Sequence, residues 1–296
     1  MLTIIIPAHN EQSVIPDCLQ SLLEQRLDQR PVEQKEQQPE QRRAGNHIEV
    51  IISANGCTDA TVSICQSFQP AFENKGFSFQ VLETSNGNKI DALNLADSKA
   101  AYSSRLYLDA DVILEPALLR QALILIDNPQ PVYFSGTLSI PSSESFFSNA
   151  YSKIWIALPY IRDAVTGIGC YGVNPAGRAL WEHFPAIHSD DKYVRLLFSY
   201  DQCKKTSATY QWPVPQGLLT LIKVRARWIK GTRQLRSSFP VLYKNHSGRF
   251  KTDTKSLKTM ISDPVSTLVF IFVYTIAAAL ASLGQKNPQL KWTRAR

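Results

Sequence analysis

The stretch Arg105-Leu106-Tyr107-Leu108-Asp109-Ala110-Asp111 reads as a short strand that opens onto two carboxylates. Two acids spaced this way at a strand end can hold a hard divalent cation, which in turn binds phosphate oxygens. A turn ahead of Pro116 would use the same residue types, so the neighbouring segments decide between the two readings. Upstream, Leu2–Ile6 is an apolar β-branched run ended by Pro7, as in a buried strand. Val14, Ile15, Cys18, Leu19, Leu22 and Leu23 then recur at helical spacing. Ile48–Ile52 predicts a second strand, with a turn at Asn55-Gly56 and a helix from near Thr58-Asp59. Phe77–Leu82 alternates like a third strand, and Lys89–Ala101 reads as a helix. Beyond the two acids, Pro116–Leu125 is helical, with proline at its first turn.

Strands alternating with helices predict a parallel α/β sheet. Ligands bind such sheets at the carboxyl ends of the strands. The polar clusters stand at those ends: His9-Asn10-Glu11, Asn55, Asn86–Lys89, and Asp109 with Asp111. This arrangement favours a phosphate-handling site over a bare turn.

Of the 296 residues, 44% are hydrophobic and 19% charged, which excludes a disordered chain. At about 150 residues per domain the length predicts roughly two domains or one large one. The five cysteines show no C-x-x-C pair, arguing against a disulfide scaffold or zinc ribbon and for a reducing compartment. His9, His47, His183, His188 and His246 lack metal-ligand spacing. Residues 28–43 hold five Gln, four acids, four bases and two Pro, predicting a solvated, mobile insertion within 28–47. No basic segment leading into an apolar stretch opens the chain, so no secretory signal is read.

The net charge of +7 is uneven. Residues 1–222 carry 17 bases and 23 acids, whereas 223–258 carry 11 bases and one acid. A basic C-terminal third suits an anionic partner: a membrane surface, a phosphate-bearing substrate or a nucleic acid. Val265–Leu283 is 19 residues without a charge, long enough to cross a bilayer, and bases flank both sides. An interfacial helix on anionic lipid and a buried helix are the alternatives. Aromatic residues are not interleaved along the basic run, which disfavours nucleic acid.

Three further patterns carry chemistry. His188-Ser189-Asp190-Asp191 precedes a helical run, so its acids suit either a helix cap or a general base. Arg225-Ala226-Arg227-Trp228 offers guanidinium forks for phosphate and a stacking face. Gly167-x-Gly169-x-x-Gly172 matches a dinucleotide fingerprint formally, but no convincing strand precedes it, and Pro175 and Gly177 interrupt any following helix. A glycine-rich loop that lets backbone approach a substrate is the simpler reading.

Taken in order, these segments resemble the inverting GT-A glycosyltransferases of family 2. Ile6–Glu11 resembles the family's P-x-Y-N-E opening, with His9 in place of Tyr. Ile51–Thr61 (IISANGCTDAT), Asn88–Asn94 (NKIDALN), Asp109–Asp111, Asp190-Asp191 and Arg225–Trp228 resemble its later motifs, ending in Q-x-x-R-W. The resemblance implies a GT-A Rossmann-like, mostly parallel α/β sheet flanked by helices. Residues 1–236 would form the catalytic domain, and 237–296 a basic C-terminal region with an apolar, membrane-associating helix at 265–283.

It also implies roles. Pro7, His9, Glu11, Asn55, Lys89, Asp109, Arg225, Arg227 and Trp228 would bind the nucleotide sugar. Asp109 and Asp111 would hold Mg²⁺ or Mn²⁺. Gly169 and Asp190 would shape the acceptor side, and Asp191 would be the catalytic base. The implied activity is metal-dependent transfer of a single hexose-like sugar, with inversion, in cell-surface glycan or glycolipid synthesis. The implied partners are a nucleotide-diphosphate sugar donor and a lipid-linked or glycan acceptor. The implied location is the cytoplasm, at the inner face of the cell membrane.

Besides His9, the chain departs from the family pattern in three places. Ala54 and Asn55 replace the acid that reads the base, Val224 replaces the Gln of Q-x-x-R-W, and Asp190 replaces Glu, a mild change. Val224 weakens the case for a processive polysaccharide synthase. Together the departures leave open a catalytically degenerate nucleotide-sugar-binding protein and, further off, a basic nucleic-acid-binding protein.

Overall fold

A computed structural model describes residues 1–27, 47–245 and 253–283. Apart from its last residue, the predicted insertion at 28–47 lies outside the described residues. Eight strands form one sheet: β1 (Leu2–Ala8), β2 (Ile48–Asn55), β3 (Ser78–Thr84), β4 (Arg105–Leu108), β5 (Ile113–Leu114), β6 (Tyr133–Ser139), β7 (Cys170–Val173) and β8 (Cys203–Gln211). Their order is β3-β2-β1-β4-β7-β6-β8-β5. The first four are parallel throughout, as the sequence predicts.

Every residue of β1, β2 and β4 is buried, because helices cover both sheet faces. Leu2, Ile4 and Ile6 point into one core layer and Ile5 into the other, as the two-residue period of a strand requires. At the edge, β3 alternates exposed and buried residues over its first three positions.

The expected mostly parallel sheet becomes mixed beyond β4. There β7 runs antiparallel to both β4 and β6, β6 and β8 are parallel, and β5 is antiparallel to β8. Gly172 sits within β7, where the Phe134 ring occupies the space its side chain would need. The third glycine of the formal fingerprint therefore serves strand packing and cradles no phosphate.

Three C-terminal helices, Leu218–Ser238, Thr254–Ser262 and Pro264–Leu283, pack around the helix Phe146–Ala157. The last docks by small residues. Val273, Ala277 and Ala281 are fully buried and belong to the main core. Its other face is exposed and apolar, with Leu268 at 67% and Leu283 at 83%. Lys153–Asp263 and Arg162–Asp253 ion pairs, each 2.6 Å, tie this region to the body. Among the described residues this is the one helix long and apolar enough to cross a membrane, and 22% of its most apolar window is buried.

Candidate active site

A cavity of about 430 Å³ opens at the carboxyl ends of β1 and β4. It gathers Pro7, Glu11, Lys89, Asp109, Asp111, Gly169, Asp190, Asp191, Arg225, Arg227 and Trp228 from across more than 220 residues of sequence. The sheet supplies the first of these by ending there. Asn88 caps the next helix, its side chain accepting from the Ile90 N–H at 2.9 Å, which sets Lys89 at the first turn. From that position the Lys89 ammonium lies 2.9 Å from Asp109 Oδ1 and 3.1 Å from Asp190 Oδ1. These two carboxylates hold its pKa well above the ordinary lysine value against the opposing effect of burial.

Asp109 is fixed through the main chain, its N–H donating to the Gly169 carbonyl at 2.8 Å. Gly169 adopts φ 68°, and a Cβ there would lie 2.5 Å from Trp212 Cδ1. Only glycine allows this close crossing of the loop over Trp212. Asp190, expected on the acceptor side, is 5% exposed and accepts from the Tyr171 hydroxyl at 3.2 Å. It therefore anchors Lys89 and Tyr171 while lining the cavity. Asp191 is the second residue of the helix Asp190–Leu196, and its Oδ1 accepts the Lys192 N–H at 2.6 Å. Burial first, then the neighbouring Asp190, push its carboxyl up to about 7, although Lys89 pulls the other way.

Two expected nucleotide contacts lie behind the lining. Asn55 is fully buried, its Oδ1 accepting the Asn88 N–H at 2.6 Å, so it ties β2 to the loop carrying Lys89. His9 braces that junction, with Nδ1 2.7 Å from the Asn55 carbonyl oxygen.

Arg225 and Arg227 part company on the helix Leu218–Ser238, where positions two apart are turned by about 200°. Arg227 is drawn electrostatically by Asp109, Asp190 and Asp191, while burial pulls its pKa down. The Arg225 guanidinium lies 5.7 Å from the Trp228 ring and 5.1 Å from the Tyr274 ring.

The sequence reading misses Tyr171, Trp155, Trp212 and Gly231. At Gly231 a side chain would collide with Ser189, so this glycine lets the helix bearing Arg227 close onto the loop before Asp190. A lone glycine four residues after Arg227 in a helical run was its signal. Trp155 and Trp212 gave none, because only the tertiary fold brings them together.

Asp109 and Asp111 are an all-oxygen pair, the donor chemistry that Mg²⁺ and Mn²⁺ take. Both line the cavity, so the residues fit such an ion provided other ligands complete its shell. No cluster of three or more metal-ligating side chains occurs among the described residues.

Residues 3–179 match the model of glycosyl transferase family 2, and the chain belongs to that family. The match ends before Asp191, Arg227 and Trp228. No curated protein matches the chain in sequence. A solved structure of a mannosyltransferase from Pyrobaculum calidifontis, in complex with GDP-Man and Mn²⁺, shares the fold. Its identity is 17%, its TM-score 0.56, and the alignment covers 97% of this chain and 76% of that one. Residues 1–349 of S. aureus TarS in complex with UDP-GlcNAc align at 12% identity and TM-score 0.49, covering 97% and 93%. The chain spans 49% of the longer TarS structure, which aligns at 15% identity and TM-score 0.49 over 94% of this chain.

Proposed function

We propose that the protein transfers a single sugar, hexose-like, from a nucleotide-diphosphate sugar to an acceptor hydroxyl with inversion. The observation that carries this reading is Asp191, a carboxylate with raised pKa, in one cavity with Lys89, Asp109, Asp111 and Arg227. Asp191 takes the proton of the acceptor hydroxyl. The oxygen forms its bond to the anomeric carbon as the bond to the diphosphate breaks. The nucleoside diphosphate leaves with the electron pair from the opposite face, so configuration inverts. Lys89 and Arg227 stabilise the charge that grows on the leaving group, in a site already oriented to receive it. Asp109 and Asp111 would hold Mg²⁺ or Mn²⁺, which supplies further charge neutralisation to the diphosphate.

We take residues 1–236 as the catalytic part and 237–296 as its membrane-side extension. The exposed apolar face of Pro264–Leu283, with Lys255 and Lys258 on the preceding helix, supports contact with an anionic bilayer surface. The free cysteines are consistent with work on the cytoplasmic face, in glycan or glycolipid synthesis. Replacing Asp191 by Asn tests the assignment. Transfer should be lost while nucleotide-sugar binding persists, and undiminished turnover would remove Asp191 from the mechanism.

A further inference from the structure

One edge of the cavity takes no part in the chemistry above. It lies where the helices Phe146–Ala157, Leu218–Ser238 and Pro264–Leu283 meet. Three tryptophans wall it: Trp155 stacks on Trp228 with ring centres 5.4 Å apart, and Trp212 lies 5.9 Å from each. Past Trp228, the Arg225 guanidinium is held between that ring and Tyr274 of the apolar helix. Tyr151 stacks on Phe270 of the same helix at 5.3 Å.

Polar satisfaction breaks down here. Arg225 Nε, the Tyr151 hydroxyl and the Trp155 indole N–H are all buried without a hydrogen-bond partner. Tyr151 is 1% exposed and Trp155 2%. Buried polar atoms in native proteins are nearly always paired, so three orphans in one contact chain are an anomaly. All three can donate, so the missing partner is an acceptor. No ion pair among the described residues involves Arg225. Arg227 faces the aspartates of the donor end, which leaves Arg225 as the cation of this edge. Burial pulls the Lys192 pKa down, Asp191 opposes the fall and Arg225 adds to it, so a second cation stands near Arg225.

The surroundings are apolar on the side away from the aspartates. Tyr160, Ile161, Ala164 and Ile168 continue the cavity wall. Beyond Tyr274 lie the exposed Leu268, Ile271, Phe272 and Leu280. A ligand matched to this edge has an anionic acceptor group at one end and an apolar chain at the other.

We propose that this edge is an acceptor subsite for a phosphate-bearing lipid, whose phosphate meets Arg225 and whose chain leaves past Tyr274 onto the apolar face of Pro264–Leu283. The proposal rests on the transferase reading for its place in the reaction, but its binding chemistry can be tested without a donor. A small water-soluble phosphate would satisfy the same donors and leave the apolar wall unused.

The test is titration of the full-length protein with farnesyl phosphate, farnesol or glycerol phosphate, followed by tryptophan fluorescence. Farnesyl phosphate should bind at least about tenfold more tightly than either partial probe, since a charge-assisted bond and the chain both contribute. Arg225→Gln should bring farnesyl phosphate close to farnesol, while Arg225→Lys keeps part of the preference. Trp155→Phe, which keeps the ring and removes the N–H, should weaken farnesyl phosphate more than farnesol, and decides the matter if the Arg225 variants fail to fold. Equal binding of farnesol and farnesyl phosphate would overturn the proposal, as would a preference that survives in Arg225→Gln. Glycerol phosphate binding as tightly as farnesyl phosphate would also overturn it, in favour of a soluble acceptor. Thermal shift with nucleotide sugars separates the two readings. A donor shift without lipid-phosphate binding sinks the subsite alone, and lipid-phosphate binding without any donor shift sinks the transferase reading.

Discussion

At one end of the cavity Lys89 lies between Asp109 and Asp190, and Asp190 is held in turn by Tyr171. At the other end, Arg225 lies against aromatic rings with its Nε unpaired. At the first end Lys89, Asp109 and Asp190 are paired before any ligand arrives. Groups fixed in this way lose little on reorganising in the transition state, which is what electrostatic stabilisation of a leaving group requires. The second end holds unused donors beside apolar surface, which is what a binding site for an amphipathic molecule requires. On the proposed reading one cavity carries a reaction centre and a recognition edge, and separate substitutions should disable them one at a time.

The sharpest way to break the contrast is at Asp191. Asp191→Asn should lower the transfer rate by about 10²–10⁴-fold, the range for loss of a positioned base. Rates measured at saturating donor and acceptor check this, and donor affinity should stay close to that of the wild type.

The next effect concerns pH. With its carboxyl pushed up to about 7, Asp191 accepts a proton only when ionised. Transfer should therefore rise with pH through that value and level off above it. Below it, kcat/KM falls about tenfold per pH unit as the base protonates. A profile flat from pH 5 to 9 would show that Asp191 does not titrate in the rate-determining step.

Gly169→Ala should act on both ends, since Gly169 holds Asp109 on one side and crosses Trp212 on the other. A new methyl against Trp212 in a left-handed conformation should cost about 1–3 kcal/mol. Chemical denaturation measures it, and an unchanged midpoint would mean that the loop has room to shift.

The smallest effect lies far from the cavity. Lys153→Ala removes the ion pair with Asp263, in which the lysine side chain is 60% exposed, and leaves the bonds from Asp263 to Ser266 in place. Exposed pairs contribute about 0–1 kcal/mol, so stability should barely change. A large loss would show that this contact holds the apolar helix against the body.

Much of the donor end was legible in the sequence because buried parallel strands are written as apolar runs. Leu2–Ile6, Ile48–Ile52 and Arg105–Leu108 each end at a polar cluster, so the strand-end rule located Glu11, Lys89, Asp109 and Asp111 together. His9 and Asn55 followed the same rule yet brace the loop from behind, because a strand end has a back as well as a front. The second half of the sheet was opaque. Strand β8 reads Cys-Lys-Lys-Thr-Ser-Ala-Thr-Tyr-Gln, and its burial alternates with few large apolar residues to announce it. Strand β7 is four residues long. Of the recognition edge only Arg225 and Trp228 were legible, since Tyr151, Trp155, Arg225 and Tyr274 come from three helices that meet only in the folded chain. The apolar segment was legible as a helix, but the burial of Val273, Ala277 and Ala281 against the body was not.

The measurement that bears most directly on the nucleotide-sugar site is a thermal-shift panel of UDP-, GDP-, dTDP- and CDP-sugars, with and without Mn²⁺, on the wild type and Asp111→Ala. At least one nucleotide sugar should stabilise the wild type, Mn²⁺ should increase the shift, and Asp111→Ala should lose the metal-dependent part. No shift with any donor, or an identical shift in Asp111→Ala, would contradict this assignment.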